Sequence, residues 1–263
     1  MTARTLVQAF GGAGNDVFVG SVAGATLHGG PGDDLFDLSS ARSTTIIAGI
    51  GNDVIRVQGG QQATVQAGAG DDVVVFDGMA SLVYGDNGND DLTIGGQLVV
   101  AFGGNGADRL VVQHGWMNIL VGGLGQDELI TLSTEATYFV FESVRDSGAS
   151  AASADIIRGF TPGRDVLFLG GIAAEAGFLF DPATMTGGFV FSGAGPLQGI
   201  AGEVSVVMLN DTDSWVLIDV DGDGQADSSI VLADVQAEDL SAQDVGTFGR
   251  SFADAFLSVF PLG

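Results

Sequence analysis

The chain has 263 residues, enough for one large or two modest domains, and its 46% hydrophobic content exceeds what a disordered acidic tail would carry. Its 33 acids face eight bases, all arginine, and the net charge of −25 disfavours nucleic acid and anionic lipid as partners and opposes compaction unless cations neutralise it. Cysteine is absent, which excludes disulfides and thiolate metal sites, and no apolar run approaches the ~20 residues of a membrane span.

The first ten residues, Met1 to Phe10, hold too short an apolar stretch for a signal peptide. From Gly11 onward a six-residue unit ending in Asp recurs seven times: Gly11–Asp16, Gly29–Asp34, Ala48–Asp53, Ala67–Asp72, Gly85–Asp90, Gly103–Asp108 and Gly122–Asp127. Successive starts lie 18, 19, 19, 18, 18 and 19 residues apart. The fourth position is always glycine (Gly14, Gly32, Gly51, Gly70, Gly88, Gly106, Gly125) and the sixth always aspartate. The second position is Gly12, Gly30, Gly49, Gly68, Asp86, Gly104 and Gly123. Two residues after each Asp stands an apolar side chain (Phe18, Phe36, Ile55, Val74, Leu92, Leu110, Leu129). Two residues before each following unit stands another (Leu27, Ile46, Val65, Val83, Ala101, Leu120).

Such a pattern predicts an all-β fold: a parallel β-roll, or β-solenoid, of about seven coils, each a turn, a strand, a second turn and a second strand. Coils stacked at the ~4.8 Å strand spacing give a roll roughly 34 Å long, with the two apolar ladders meeting as a thin core. Glycine at fixed turn positions suits a backbone that needs positive φ or close approach to its neighbour. The turns on the far side of each coil, such as Gly20–Ala25, Ser39–Thr44 and His114–Asn118, contain no acid, so that edge is expected to close by backbone and small-residue packing alone.

The units resemble the GGxGxDxUx nonapeptide of RTX (hemolysin-type calcium-binding repeat) proteins; Gly11-Gly12-Ala13-Gly14-Asn15-Asp16-Val17-Phe18-Val19 fits throughout. The resemblance implies Ca²⁺ between equivalent turns of adjacent coils, held by Asp16, Asp34, Asp53, Asp72, Asp90, Asp108 and Asp127 with backbone carbonyls around the second- and fourth-position residues. Seven turns offer six gaps, so about six ions in one column are expected, cancelling about twelve negative charges.

From about Thr131 the 18-residue spacing stops. Phe139-Val140-Phe141, Asp155 to Leu169, Phe189-Val190-Phe191 and Asp219 to Asp227 follow in an order that resembles the C-terminal domain of serralysin-type metalloproteases, over roughly 138–245. That resemblance implies a β-rich cap and export by type I secretion machinery. The expected organisation is a roll over 1–130, a serralysin-like domain over 131–247 and a tail over 248–263. In the tail, Phe248, Phe252, Phe256 and Phe260 form a helical stripe suited to a secretion signal or a docking helix. Asp219, Asp221, Asp223 and Asp227 alternate like the acids of a calcium loop and could hold one more ion, although Ile230 stands where an EF-hand carries glutamate.

No H-E-x-x-H zinc helix, G-x-S-x-G elbow or nucleophilic cysteine is present, so a non-enzymatic protein is expected. The sequence points to a secreted structural protein that folds in millimolar calcium outside the cell or at its surface, without a cleaved signal peptide. Surface-layer, matrix and adhesive roles fit, with self-assembly or a cell-surface polysaccharide as further partners. The alternative is an accessory folding and secretion module of a type I-secreted protease, lipase or alginate epimerase.

Overall fold

The computed structural model describes residues 7–175 and 189–246, and the Phe-striped tail expected over 248–263 lies outside them. The chain forms two compact units, Met1–Val121 with Leu132–Glu135, and Gly122–Thr131 with Ala136–Gly263. Among the described residues no helix is long and apolar enough to cross a membrane.

The first unit is the parallel roll. Its strands are β1 (Val7–Phe10), β2 (Val17–Ala23), β3 (Ala25–Pro31), β4 (Leu35–Arg42), β5 (Thr45–Ile50), β6 (Val54–Gln61), β7 (Thr64–Ala69), β8 (Val73–Asn87), β9 (Asp91–Asn105), β10 (Arg109–Trp116) and the start of β11 (Asn118–Leu124). One sheet stacks β2, β4, β6, the first half of β8, the first half of β9 and β10, all parallel. The other stacks β1, β3, β5, β7 and the second halves of β8 and β9.

Both apolar ladders fall into register. Phe18, Phe36, Ile55, Val74, Leu92 and Leu110 are successive partners in the first sheet. Leu27, Ile46, Val65, Val83 and Ala101 do the same in the second. From the second coil on these side chains are buried, most of them completely. The period-2 alternation of a strand supplies a further inward row, Leu38, Val57, Phe76, Ile94 and Val112, equally buried. Fully burying one such side chain contributes roughly 1.5–3 kcal/mol, and each coil from the second to the sixth adds at least three.

The second unit ends the 18-residue spacing without ending the geometry. Its strands are β12 (Glu128–Thr131), β13 (Thr137–Val140), β14 (Asp155–Arg158), β15 (Val166–Phe168), β16 (Val190–Ala194), β17 (Glu203–Met208), β18 (Ser214–Asp219), β19 (Ser228–Leu232) and β20 (Val245–Gly246), with helix α1 (Gly170–Glu175) after β15. Strands β12, β14 and β19 form one parallel ladder; β13, β15 and β20 form a second. Insertions lengthen these coils, β18 pairs antiparallel with β19, and β17 pairs antiparallel with β18. Periodic spacing in sequence is lost because loops are inserted, while the ladder of Leu129, Ile157 and Leu232 still fills the interior.

Candidate metal-binding edge

The sixth-position aspartates form a ladder along one edge of the roll. The backbone N–H of Asp16 donates to Oδ1 of Asp34 at 2.7 Å, Asp34 to Asp53 at 2.7 Å, and Asp53 to Asp72 at 2.7 Å. Asp72 donates to Asp90 and Asp90 to Asp108, each at 2.8 Å. Each carboxylate therefore spends one oxygen on the preceding coil. The Oδ2 atoms of Asp16, Asp34, Asp53, Asp72 and Asp90 are buried and accept no hydrogen bond. A buried acceptor left unsatisfied costs about 1–3 kcal/mol, and more when charged. Burial lifts the carboxyl of Asp53 to about 6 and those of Asp72 and Asp90 to about 7. The backbone hydrogen bond opposes that rise in each case, and the neighbouring aspartates add to it.

Glycine is required here by the neighbouring coil. All the second- and fourth-position glycines have positive φ, from 100° at Gly14 and Gly123 to 149° at Gly125. A Cβ on Gly30, Gly49, Gly68 or Gly104 would meet the carbonyl oxygen of Gly12, Gly30, Gly49 or Asp86 respectively. At Gly32, Gly51, Gly70, Gly88 and Gly106 it would strike the backbone of the fourth-position glycine one coil earlier. Asp86 takes the glycine conformation with φ 75°, and its carboxyl is raised by burial. It presents its backbone carbonyl to Gly104 just as the glycines do.

A second ladder, which the repeat pattern did not bring out, runs one residue earlier and in the opposite sense. Asn15 Oδ1 accepts the N–H of Asp33 (3.0 Å), Asp33 that of Asn52 (2.9 Å), and Asn52 that of Asp71 (2.9 Å). Asp71 accepts from Asn89, and Asn89 from Ala107, both at 2.8 Å. Asparagine and aspartate alternate along this exposed row, so no two formal charges are adjacent.

In the second unit the turn Gly122–Asp127 repeats the arrangement one step further. Asp127 N–H donates to Asp155 Oδ1 at 3.0 Å, and Asp155 is fully buried with its own N–H on Ser147 Oγ. Asp155 escaped the repeat pattern because it lies 28 residues beyond Asp127 rather than 18 or 19.

The C-terminal acids divide. Ligand oxygens of Asp219, Asp221 and Asp227 lie within 4.8 Å of one another. Asp219 accepts from Gly222 (2.6 Å) and Gly224 (2.9 Å), Asp227 from Val220 (2.7 Å) and Asp221 from Asp223 (3.1 Å), so backbone donors already engage all three. The Asp223 carboxylate instead caps Gln225 and stands outside the cluster. Glu203, in register with Asp219, is buried. Burial raises its carboxyl, but hydrogen bonds from Gln198, Ser192, Ile200 and Gly199 outweigh that and hold it below the usual range.

The opposite edge of the roll closes differently from expectation. Each turn sets one residue at φ between 48° and 63° (Gly24, Ser43, Gln62, Ala80, Leu98 and Met117), and four turns add a positive-φ glycine, Gly20, Gly59, Gly96 or Gly115. Polar side chains cap these turns as well. Ser81 Oγ accepts the N–H of Ala63 (3.1 Å), Asn118 Oδ1 accepts that of Val99 (3.1 Å), and Thr44 donates to the Arg42 carbonyl (3.1 Å). Small-residue packing is insufficient because backbone donors such as Ala63 and Val99 N–H are met by polar side chains of the next coil. The extra residue of each 19-residue coil is also placed here. Register shifts at Ser39, Gly59 and Gln113 absorb it as bulges, and every aspartate turn keeps its length.

No family model and no curated protein sequence matches the chain. Among solved structures it is similar to the AlgE6R2 subunit of the Azotobacter vinelandii mannuronan C5-epimerase, at 27% identity over 65% of this chain and 90% of that one, with a TM-score of 0.39. It is also similar to the AlgE6R3 subunit of the same enzyme, at 20% identity over 89% of this chain and 79% of that one, with a TM-score of 0.28. At TM-scores this low neither likeness bears on function, and the chain's own residues must carry it.

The aspartate edge fits a hard divalent cation. Its donors are all oxygen, it is anionic, and it holds one unsatisfied buried carboxylate oxygen per coil beside closely approaching carbonyls. Calcium takes six to eight oxygens in flexible geometry, which two carboxylates and the turn carbonyls can supply; magnesium's tight octahedral demand suits the site less.

Proposed function

We propose that this chain is a non-catalytic structural module that folds when calcium fills the aspartate edge. The observation that carries the reading is the file of five buried Oδ2 atoms, on Asp16, Asp34, Asp53, Asp72 and Asp90, that no donor satisfies. Divalent ions between coils would neutralise them, and the binding free energy would then be folding free energy. The step from Asp127 to Asp155 supports one more gap of the same kind within the second unit, which the repeats did not count. A further ion in the C-terminal loop would draw on Asp219, Asp221 and Asp227 rather than Asp223.

Extracellular calcium modules bind at about 10⁻⁴–10⁻³ M, far above cytosolic free calcium. A chain that stays loose inside the cell and folds outside is suited to export through a narrow channel. The serralysin-like order of the C-terminal segments favours type I secretion machinery as the route, and the extracellular space or cell surface as the destination. Far-ultraviolet circular dichroism during a calcium titration tests this. The β signal is expected to grow with calcium and to fall well below its calcium-loaded level in chelator; a signal already complete in excess chelator contradicts the reading.

A further inference from the structure

The outward residues of the first sheet form a flat face across four coils. Along β2, β4, β6 and the first half of β8, one outward row is Val17, Leu35, Val54 and Val73, each in register with the next. The other is Val19, Asp37, Arg56 and Val75. Val17 and Val19 are 65% and 72% exposed, and Val73 and Val75 39% and 41%. Valines exposed at both ends of these rows, with the half-buried Leu35 and Val54 between them, make the kind of patch that marks an interaction surface. The corresponding face of the other sheet is more polar: Thr26, Thr45 and Thr64 form one row, and His28, Ile47 and Gln66 the next.

Charge singles out the same face. The chain carries −25, yet the outward positions of β2, β4, β6 and the first half of β8 hold two acids, Asp37 and Asp77, against two bases, Arg42 and Arg56, with Asp37 and Arg56 in register with each other. On coils five and six the charges of this face, Asp91 and Arg109, already pair at 3.1 Å. This is a neutral surface on a strongly acidic protein, where two copies could meet without repulsion.

The order of residues is self-complementary. A two-fold axis lying in the interface, parallel to the strands and between the second and third coils, keeps each row and exchanges coil one with four and two with three. Val17 then faces Val73 of the second copy, Val19 faces Val75, Leu35 faces Val54, and Asp37 faces Arg56. All eight positions match, apolar on apolar and acid on base. A shift by one coil would set Asp37 against Asp37 with Arg56 on Val19, or Arg56 against Arg56 with Asp37 on Val75.

From this we infer that the outer face of β2, β4, β6 and β8 is an isologous dimer interface, in which two rolls pack sheet on sheet with Asp37 of each copy against Arg56 of the other. The two sheets would lie ~10 Å apart and within about 30° of alignment. A two-fold is the commonest symmetry of soluble oligomers and produces this reciprocal pairing. The footprint is on the order of 500 Å² per copy, at the low end for a specific pair, so association is weak and concentration-dependent. The aspartate turns lie at the edge of the roll, so calcium does not compete for the face.

Sedimentation velocity on the full chain, with saturating calcium and 150 mM salt to screen the remaining charge beyond about 8 Å, reads the outcome directly. Wild type is expected to pass from monomer to dimer as concentration rises towards the submillimolar range. Asp37→Arg alone and Arg56→Asp alone each set like charges together and weaken association by about tenfold or more. Mixing the two single variants restores the dimer as a heterodimer, and the double variant restores it as a homodimer. Circular dichroism in calcium confirms that each variant retains the folded roll. Wild type that stays monomeric throughout overturns the inference, as does a dimer indifferent to both reversals.

Discussion

On one edge of the roll every turn has six residues, closes on aspartate and repeats without change in length; on the other, turns vary in length, composition and capping. Each aspartate turn is tied to both neighbours, through Asp Oδ1 in one direction and the Asn/Asp row in the other. An added residue there would break two ladders at once. The opposite turns also bond to the next coil, as Gly24 N–H does to the Arg42 carbonyl and Ala63 N–H to Ser81 Oγ, but share no side-chain ladder of one residue type and take up the bulges at Ser39, Gly59 and Gln113. Constraint follows from what is shared between coils rather than from the turn itself.

The sharpest way to break that contrast is to add one glycine to each edge. Between Asn89 and Asp90 it should abolish the calcium-induced β signal, because a one-residue slip displaces the carboxylate from its column. After Gly78, in an 18-residue coil, the same addition should leave the calcium midpoint within about twofold, since a bulge can absorb it.

Substituting a mid-roll ligand separates the hydrogen bond from the ion. Asp72→Ala removes the acceptor for Asp53 N–H as well as the carboxylate, and should cost about 1.5–3 kcal/mol beyond the lost ion contacts. Asp72→Asn keeps an oxygen acceptor and removes the buried charge. It should stabilise the calcium-free chain near pH 8 while raising the calcium midpoint severalfold. Thermal melts in chelator and in calcium check both signs. Asp16→Ala, at the end of the column, should do less than Asp72→Ala.

Backbone conformation gives a smaller contrast. Gly70→Ala places a Cβ against the Gly51 carbonyl at φ 132° and should destabilise the calcium-loaded roll by about 3 kcal/mol or more. Gln62→Gly, on the other edge at φ 50°, should stay within about 1 kcal/mol of wild type by urea unfolding.

The smallest effect is a dependence on pH that reverses with calcium. Asp53, Asp72 and Asp90 have carboxyls raised in the fold to about 6, 7 and 7 from 3.8. The folded state thus binds protons more tightly, and this contribution is fully present below pH 3.8 and lost as pH rises through 6–7. In chelator, the melting temperature should rise as pH falls from 8 towards 5. In calcium it should fall over the same range, because protons compete with the ions.

Much of this was legible in the sequence, for identifiable reasons. Asp, glycine and the two apolar ladders recur at fixed spacing because every coil meets the same two neighbours. The exposed alternation of Asn15, Asp33, Asn52, Asp71 and Asn89 was equally periodic, but its two residue types hide a shared role as backbone acceptor. Asp155 was hidden by the inserted loop before it. The left-handed Ser43, Gln62, Ala80, Leu98 and Met117 share no chemistry, so only backbone geometry brings them together. In the C-terminal loop, alternating acids suggested four ligands, whereas the turn gathers three and gives Asp223 to Gln225.

The most direct test of a metal-filled edge is crystallography of the calcium-loaded chain, with anomalous differences locating the ions. The account predicts a single file of peaks about one strand spacing apart, ~4.8 Å, each between consecutive aspartates from Asp16 to Asp108, with none beside Gly24, Ser43, Gln62, Ala80, Leu98 or Met117. A folded roll with no peaks along the aspartates, or with ions on the opposite edge, would contradict it.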